Sequence, residues 1–250
     1  MISVDRSWWS AAGAHGGLLA AEGLAASRAK LADSGYDYPV KMLSVQFLAA
    51  VDERPLAVDA RVERLSRASA VLSFTAAQDG EVALLGNAVF GVSRPGMRLD
   101  ARRAPAVPDA EECEPFVLRP GLAPYGQHLE FRPATPARPL VGGEVAELLF
   151  WIRFADGRPL DAESVVLLTD ALPPAAYALL VDPVPMPTVE LSVHLGETLD
   201  EKPADGWALV SMRSRQAGSG WAIDDSVVWS ADGRLLALGR QTRRVLRLTR

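Results

Sequence analysis

Residues Pro39–Phe47 read "PVKMLSVQF", and residues Pro187–Leu195 read "PTVELSVHL". Pro39, Leu43, Ser44 and Val45 recur at Pro187, Leu191, Ser192 and Val193 with a constant offset of 148 residues (39 to 187). A proline followed by alternating, β-rich text reads as a strand that begins just after a turn. A near-copy so far along the chain points to duplication of a whole unit.

The neighbouring text extends the repeat. The same offset sets Glu22 opposite Asp170, each within Ala/Leu-rich helical text, "GGLLAAEGLAAS" and "ESVVLLTDALPP". Further on, "DGEVALLGNAVFG" from Asp79 resembles "DGRLLALGRQTRR" from Asp232, and a few residues inserted in a hairpin loop account for the larger offset. Each half therefore reads helix, strand after a proline, then three more strands. The later strands are "LAVDARVERL", "SAVLSFTAAQ" and "VALLGNAVFGV" in the first half, and "WALVSMRSR", "WAIDDSVVWS" and "RLLALGRQTRRVL" in the second. Asp79-Gly80 and Asp232-Gly233 are hairpin-turn signals, because Gly accepts positive φ. Strands joined by tight turns pair antiparallel.

A helix from Gly16 to Leu31 built of Leu, Ala and Gly offers little polar face, so it needs cover on most of its circumference. A curved antiparallel sheet wrapped around it supplies that cover. Between the halves runs "RRAPAVPDAEECEPFVLRPGLAPYGQ", where Pro105, Pro108, Pro115, Pro120 and Pro124 exclude a regular helix or central strand. This reads as a linker crossing the surface. "HLEFRP" and "VAELLFWIRF" then read as the opening strands of the second half.

The 250 residues suffice for one large domain or two small ones, and the formal net charge of −5 argues against broad attraction to nucleic acid or anionic membrane. The one cysteine, Cys113, excludes an internal disulfide and sits among acids that leave it a bystander thiol. The opening residues have no basic stretch followed by an apolar core, so no signal peptide is expected, and the Ala/Leu-rich segment carries Glu22, Arg28 and Lys30, so no membrane insertion is expected either.

Taken together, "HGGLLAA", "LSVQFL", "LLTDALPP", "PTVELSVHL" and "DGRLLALGRQ" resemble the double-hotdog acyl-CoA thioesterases of the acyl-CoA thioesterase II type. The resemblance implies an α+β fold of two tandem hotdog domains, each a long central helix wrapped by a curved antiparallel β-sheet. It implies an N-terminal domain over 1–100, a Pro-rich linker over 101–125 and a C-terminal domain over 126–250. The activity implied is hydrolysis of acyl-CoA to free carboxylic acid and CoA, with no cofactor, in a cytoplasmic protein for which homo-oligomers are expected. The acyl chain would occupy an apolar tunnel between the halves. In that family an Asp on the second helix, a Thr starting the next long strand and a Gln on the last strand position the hydrolytic water. Those positions are Asp170, Thr188 and Gln241 here. A non-catalytic acyl-CoA or acyl-carrier binding protein is the alternative on the same fold. A hotdog dehydratase needs a histidine that the second-half helix lacks.

The residue types suit the chemistry. A thioester carbonyl is already electrophilic and its leaving thiolate has a pKa near ~8.5, so neither a nucleophilic side chain nor strong acid catalysis is needed. A held water, a base and donors for the developing oxyanion suffice. Asp170 is the candidate base, expected near a helix C-terminus in apolar text where dipole and desolvation strengthen it. Thr188 and Gln241 can hold the water, while a backbone N–H at a helix terminus faces the thioester oxygen. Taken singly, Asp170 also reads as a helix cap, Thr188 as a strand residue and Gln241 as a solvated edge residue.

The first-half counterparts of the trio are Glu22, Val40 and Ala88, of which only Glu22 has useful chemistry, as a pocket-lining group. For the coenzyme A phosphates the candidates are Arg240 and Arg243, with Arg244, Arg247, Arg64 and Arg67 nearby in the text. His15 is expected to cap the helix start or line the tunnel. His194 is expected to share a strand face with Thr188, Glu190 and Ser192, and so to be the substitute base. His128 lies beside the linker. Asp224 and Asp225 lack accompanying ligand spacing, and no metal is predicted.

Overall fold

The computed structural model describes residues 1–246 except 12, 98, 100–102 and 201. Helix α1 spans Gly16–Asp33 and is followed by strands β1 (Val40–Phe47), β2 (Ala57–Leu65), β3 (Ser69–Gln78) and β4 (Glu81–Gly91). After the linker come β5 (Leu129–Pro133), β6 (Glu147–Phe154), helix α2 (Ala162–Leu168), β7 (Thr188–Leu195), β8 (Ala208–Gly218), β9 (Trp221–Ser230) and β10 (Leu235–Arg244). These strands form one antiparallel ten-stranded sheet in the order β2-β3-β4-β1-β7-β10-β9-β8-β6-β5. Counted outward from the centre, β1-β4-β3-β2 and β7-β10-β9-β8 repeat one order, with β6 and β5 added at the edge of the second half, so the duplication is visible as topology.

The two quoted segments meet each other. β1 and β7 pair antiparallel with Leu43 opposite Val193, Ser44 opposite Ser192 and Val45 opposite Leu191. A pseudo-twofold axis therefore passes between Ser44 and Ser192. Leu43, Val45, Leu191 and Val193 are fully buried on the inner face, while Ser44 Oγ donates to Glu190 on the outer face.

Both copies also carry the same irregularity. The β1–β4 register slips between Val40 and Met42, and the β7–β10 register slips between Thr242 and Arg243, opposite Thr188 and Glu190. The extra residues are Lys41 and Val189, again 148 apart. A bulge of this kind re-aims the side chains beyond it.

The inner face of the sheet carries α1 and α2, which pack side by side. From Gly16 to Leu24 no residue of α1 is exposed, which meets the cover its apolar text demands. α2 is shorter than the long helix expected for the second half, at 7 residues against 18 for α1. Asp161 caps its start by accepting from the Ser164 N–H. It ends at Leu168, where Thr169 Oγ1 donates back to the Val166 carbonyl, and Pro173 and Pro174 cannot continue it.

The linker crosses the outer face of the second-half sheet and is pinned there. Trp151 Nε1 donates to the Pro108 carbonyl at 2.9 Å, Trp207 Nε1 to Glu111 at 3.0 Å and Arg132 Nη1 to the Ala110 carbonyl at 2.9 Å. Leu118 and Tyr125 then join the main core. Among the described residues no helix is long and apolar enough to cross a membrane.

Candidate active site

The start of α1 runs into the turn that follows α2. A Cβ on Gly16 would lie 2.9 Å from Asp170 Oδ2, and one on Gly17 would lie 2.7 Å from the Leu167 carbonyl oxygen. Two glycines are therefore needed for the approach. His15 precedes them and is buried. Its Nδ1 accepts from the Leu18 N–H at 3.2 Å, capping the helix, while Nε2 lies 3.0 Å from the Asp170 carbonyl oxygen. A carbonyl only accepts and an amide N–H only donates, so both contacts require the neutral Nε2–H tautomer. Burial also lowers the His15 pKa below its ordinary value. The ring lies against Tyr125, whose hydroxyl donates to the Ala171 carbonyl at 2.9 Å.

Asp170 lies two residues beyond α2. It is near that helix C-terminus, as expected, and in addition faces the positive N-terminal end of α1, which the sequence did not indicate. Oδ2 accepts from the Gly17 N–H at 2.9 Å and Oδ1 from Gln241 Nε2 at 3.0 Å. Gln241 is fully buried, so the solvated-edge reading fails. Its Oε1 accepts from Thr188 Oγ1 at 3.0 Å. The three residues named from the sequence thus form one connected chain of side chains, Thr188–Gln241–Asp170.

Two further residues belong to this cluster. Arg243 donates from Nη1 to Thr188 Oγ1 at 2.9 Å and from Nε to Asp224 Oδ2 at 2.8 Å. Ser214 Oγ donates to the other oxygen of Asp224 at 2.7 Å. Arg243 is thus placed inside the protein against a buried carboxylate, rather than displayed for a phosphate. Arg240, its neighbour in the text, points to the opposite face and pairs with Asp225, which also holds Arg215. Strand alternation separates the two arginines, and equally separates Asp224 from Asp225.

The polar cluster borders a cavity of about 560 Å³. His15, Gly16, Phe47 and Val51 of the first half line it, together with Phe116, Leu118, Arg119 and Tyr125 of the linker. The second half contributes Asp170, Leu172, Pro173, Tyr177, Met186, Thr188 and Arg243. Most of the wall is apolar. Arg119 is an exposed cation on this wall. Sequence reasoning missed Arg119, Tyr125 and the pairing of Asp224 with Arg243. The surrounding prolines hid the first two, and strand register alone brings the pair together.

Other candidates fall elsewhere. Glu22 is half-buried within α1, its carboxyl pKa raised by desolvation, and it is not among the cavity-lining residues. His194 is exposed on the outer face. The expectation that it shares Thr188's face fails, because the bulge at Val189 reverses the alternation between Thr188 and Glu190. His128 stacks on Trp8 at 4.0 Å and bonds Ser7 Oγ. Arg64 and Arg67 are exposed at the first-half sheet edge, Arg244 lies over Trp221, and Arg247 lies outside the described residues. Among the described residues no three metal-ligating side chains gather.

The first half has no such cluster at the equivalent positions. Register sets Val40 opposite Phe90, as Thr188 is opposite Arg243. It sets Ala88 between Leu43 and Leu72, as Gln241 is between Leu191 and Asp224. Val40, Leu72, Ala88 and Phe90 thus stand where Thr188, Asp224, Gln241 and Arg243 stand in the second half.

Two like halves sharing one sheet and one cavity define a double-hotdog protein. The family model for the acyl-CoA thioesterase C-terminal domain matches residues 101–245, and that for the N-terminal domain matches residues 5–91. The chain belongs to this acyl-CoA thioesterase family, whose members are thioester hydrolases. It is similar to a hot dog fold protein of unknown function from Alicyclobacillus acidocaldarius, with 27% identity, TM-score 0.89, and coverage of 99% of this chain and 92% of that one. A putative thioesterase from Novosphingobium aromaticivorans DSM 12444 shares 25% identity, TM-score 0.82, with 98% and 94% covered. A putative thioesterase II from Thermobifida fusca YX shares the fold at 24% identity, TM-score 0.83, with 98% and 91% covered. No curated protein matches the chain.

Proposed function

We propose that the protein hydrolyses acyl-CoA to the free carboxylic acid and CoA, with a water positioned by Asp170, Thr188 and Gln241. The observation that carries this reading is the Asp170 carboxylate. It stands on the wall of a largely apolar cavity and is fixed there by the Gly17 N–H and by Gln241. A carboxylate so held can take a proton from water without reorganising first.

In this mechanism the acyl chain enters the apolar cavity and the thioester carbonyl comes to rest beside Asp170. Water oxygen bonds to the carbonyl carbon as Asp170 takes its proton. The carbonyl electron pair moves onto oxygen, and a backbone N–H at a helix terminus receives the charge. Collapse of that adduct breaks the carbon–sulfur bond and releases the CoA thiolate. Arg119 on the cavity wall is the candidate contact for a CoA phosphate. The duplicated units in this reading are residues 1–100 and 126–250, joined by 101–125.

The test is thiol release across a series of acyl-CoA chain lengths, with Asp170→Asn as control. Wild-type protein should release CoA, and the variant should lose turnover by roughly 10²–10⁴-fold, the usual worth of a general base. Full turnover in the variant overturns the assignment. Acyl-CoA binding without any thiol release would instead mark a binding module.

A further inference from the structure

Resting on that functional reading, the hydrogen-bond directions within the cluster decide which groups can touch the reacting water. An arginine only donates, so Thr188 Oγ1 must accept from Arg243 Nη1. Its one proton therefore goes to Gln241 Oε1. That in turn fixes the amide orientation of Gln241. Its two N–H groups point to Asp170 Oδ1 at 3.0 Å and to the Thr169 carbonyl at 3.2 Å. The reverse orientation would set an amide oxygen against two other acceptors. Neither Thr188 nor Gln241 retains a donor for a water; Thr188 Oγ1 keeps one lone pair on the cavity wall that can accept from it, while Gln241 is not among the residues lining the cavity and bears on the water through Asp170.

One donor beside Asp170 is left over. Among the described residues Arg243 Nη2 has no hydrogen-bond partner; it is buried, lies at ion-pair distance, 3.6 Å, from Asp170 Oδ1, and Arg243 lines the cavity. An orphaned buried donor is rare enough to need a reason. Asp224 takes the hydrogen bond from Nε, and Asp170 Oδ1 is near enough for charge attraction but too far for a hydrogen bond, so the Nη2 N–H is open to a neutral oxygen lying beside Asp170.

We propose that Arg243 is a further catalytic residue, whose Nη2 donates to the attacking water while Asp170 takes the proton from that same water, and that Gln241 is a positioning residue acting through Asp170. The step balances within the hydrolysis. The water's lone pair forms the bond to the acyl carbon, its proton moves to Asp170, and Arg243 keeps all its protons throughout. A donor on the water oxygen lowers its hold on the departing proton and stays bonded to that oxygen in the tetrahedral adduct. Leu72 and Phe90 stand at the first-half positions of Asp224 and Arg243, so this pair differs between the copies together with Thr188 and Gln241.

The experiment measures acyl-CoA hydrolysis by wild type, Thr188→Val, Arg243→Met and the double variant. If Arg243 served only to orient Thr188, adding Arg243→Met to Thr188→Val would change nothing. Direct contact predicts a further fall in kcat of about 100- to 1000-fold, with KM little moved and partial rescue by added guanidinium. Should Arg243→Met fail to fold, Asp224→Leu/Arg243→Met copies the apolar first-half arrangement and carries the same comparison with the same expected loss. A double variant as active as Thr188→Val alone, or wild-type kcat in either arginine variant, overturns the proposal. A wild-type protein that releases no thiol overturns the functional reading first, and this inference with it.

Discussion

Removing the guanidinium of Arg243 should cost far more stability than removing the guanidinium and its partner together. The side chains of Arg243 and Asp224 are 5% and 1% exposed, and Nε and Oδ2 are 2.8 Å apart. Arg243→Met leaves Asp224 as a buried carboxylate whose remaining partner is Ser214. Breaking a buried pair from one side costs roughly 3–5 kcal/mol. For a chain of this size each kcal/mol moves Tm by about 2–4 °C, so the single variant should melt roughly 6–20 °C lower. Replacing both groups with apolar side chains is often neutral or better. Leu72 and Phe90 at the equivalent first-half positions show that this sheet accepts such a pair, each fully buried. Asp224→Leu/Arg243→Met should therefore recover most of the loss. Urea titrations and thermal melts of the three proteins decide it. A single variant within about 1 kcal/mol of wild type, or a double variant less stable than the single, would refute the reasoning.

Gly17→Ala forces a Cβ to within 2.7 Å of the Leu167 carbonyl oxygen and 3.0 Å of Asp170 Cβ. It should destabilise by about 1–3 kcal/mol and lower turnover by displacing Asp170, and unchanged values for both would show that the approach is looser than described. Arg119→Ala should raise KM for acyl-CoA while leaving hydrolysis of the matching acyl-pantetheine unaffected; an equal effect on both substrates would rule out phosphate contact. His15 has its pKa depressed by burial, so below the unfolded value near 6.5 the unfolded chain binds a proton that the native state resists. That contribution is constant above this pH and turns against folding as pH falls through it. Glu22, with its pKa raised, acts in the opposite sense above its unfolded value near 4.3. The urea midpoint should therefore drop less between pH 7.5 and 5.5 in His15→Asn, which keeps a capping side chain, than in wild type. Equal drops would refute the burial argument.

Much of this was legible in the text because it depended on local pattern. The "LSV" repeat marked the two strands that meet across the pseudo-twofold, and Asp79-Gly80 marked a turn in which both residues do adopt positive φ. The offsets paired Val40 with Thr188 and Ala88 with Gln241, and register agrees. What failed depended on geometry that alternation does not encode. The bulge at Val189 put Thr188 inside while leaving His194 outside. The strand phase that buries Gln241 and Arg243 turned Arg240 outward, so adjacent arginines did not act as a group. The partnership of Asp224 with Arg243 joins neighbouring strands through their inner faces, and no spacing in the text announces it. α2 ended a turn earlier than its apolar run suggested, and the offset that set Glu22 opposite Asp170 therefore compares a mid-helix residue with a turn.

The β1–β7 seam also bears on how the molecule comes together. Its partners lie about 150 residues apart, so closing it constrains a long stretch of chain before any contact is gained. The hairpins of each half are local by comparison and can form first. Yet His15, Gly16 and Gly17 come from one side of that seam, and Asp170, Thr188 and Gln241 from the other. Recovery of the assembled site during refolding should therefore lag behind recovery of secondary structure, which makes a functional readout a clock for the last long-range step.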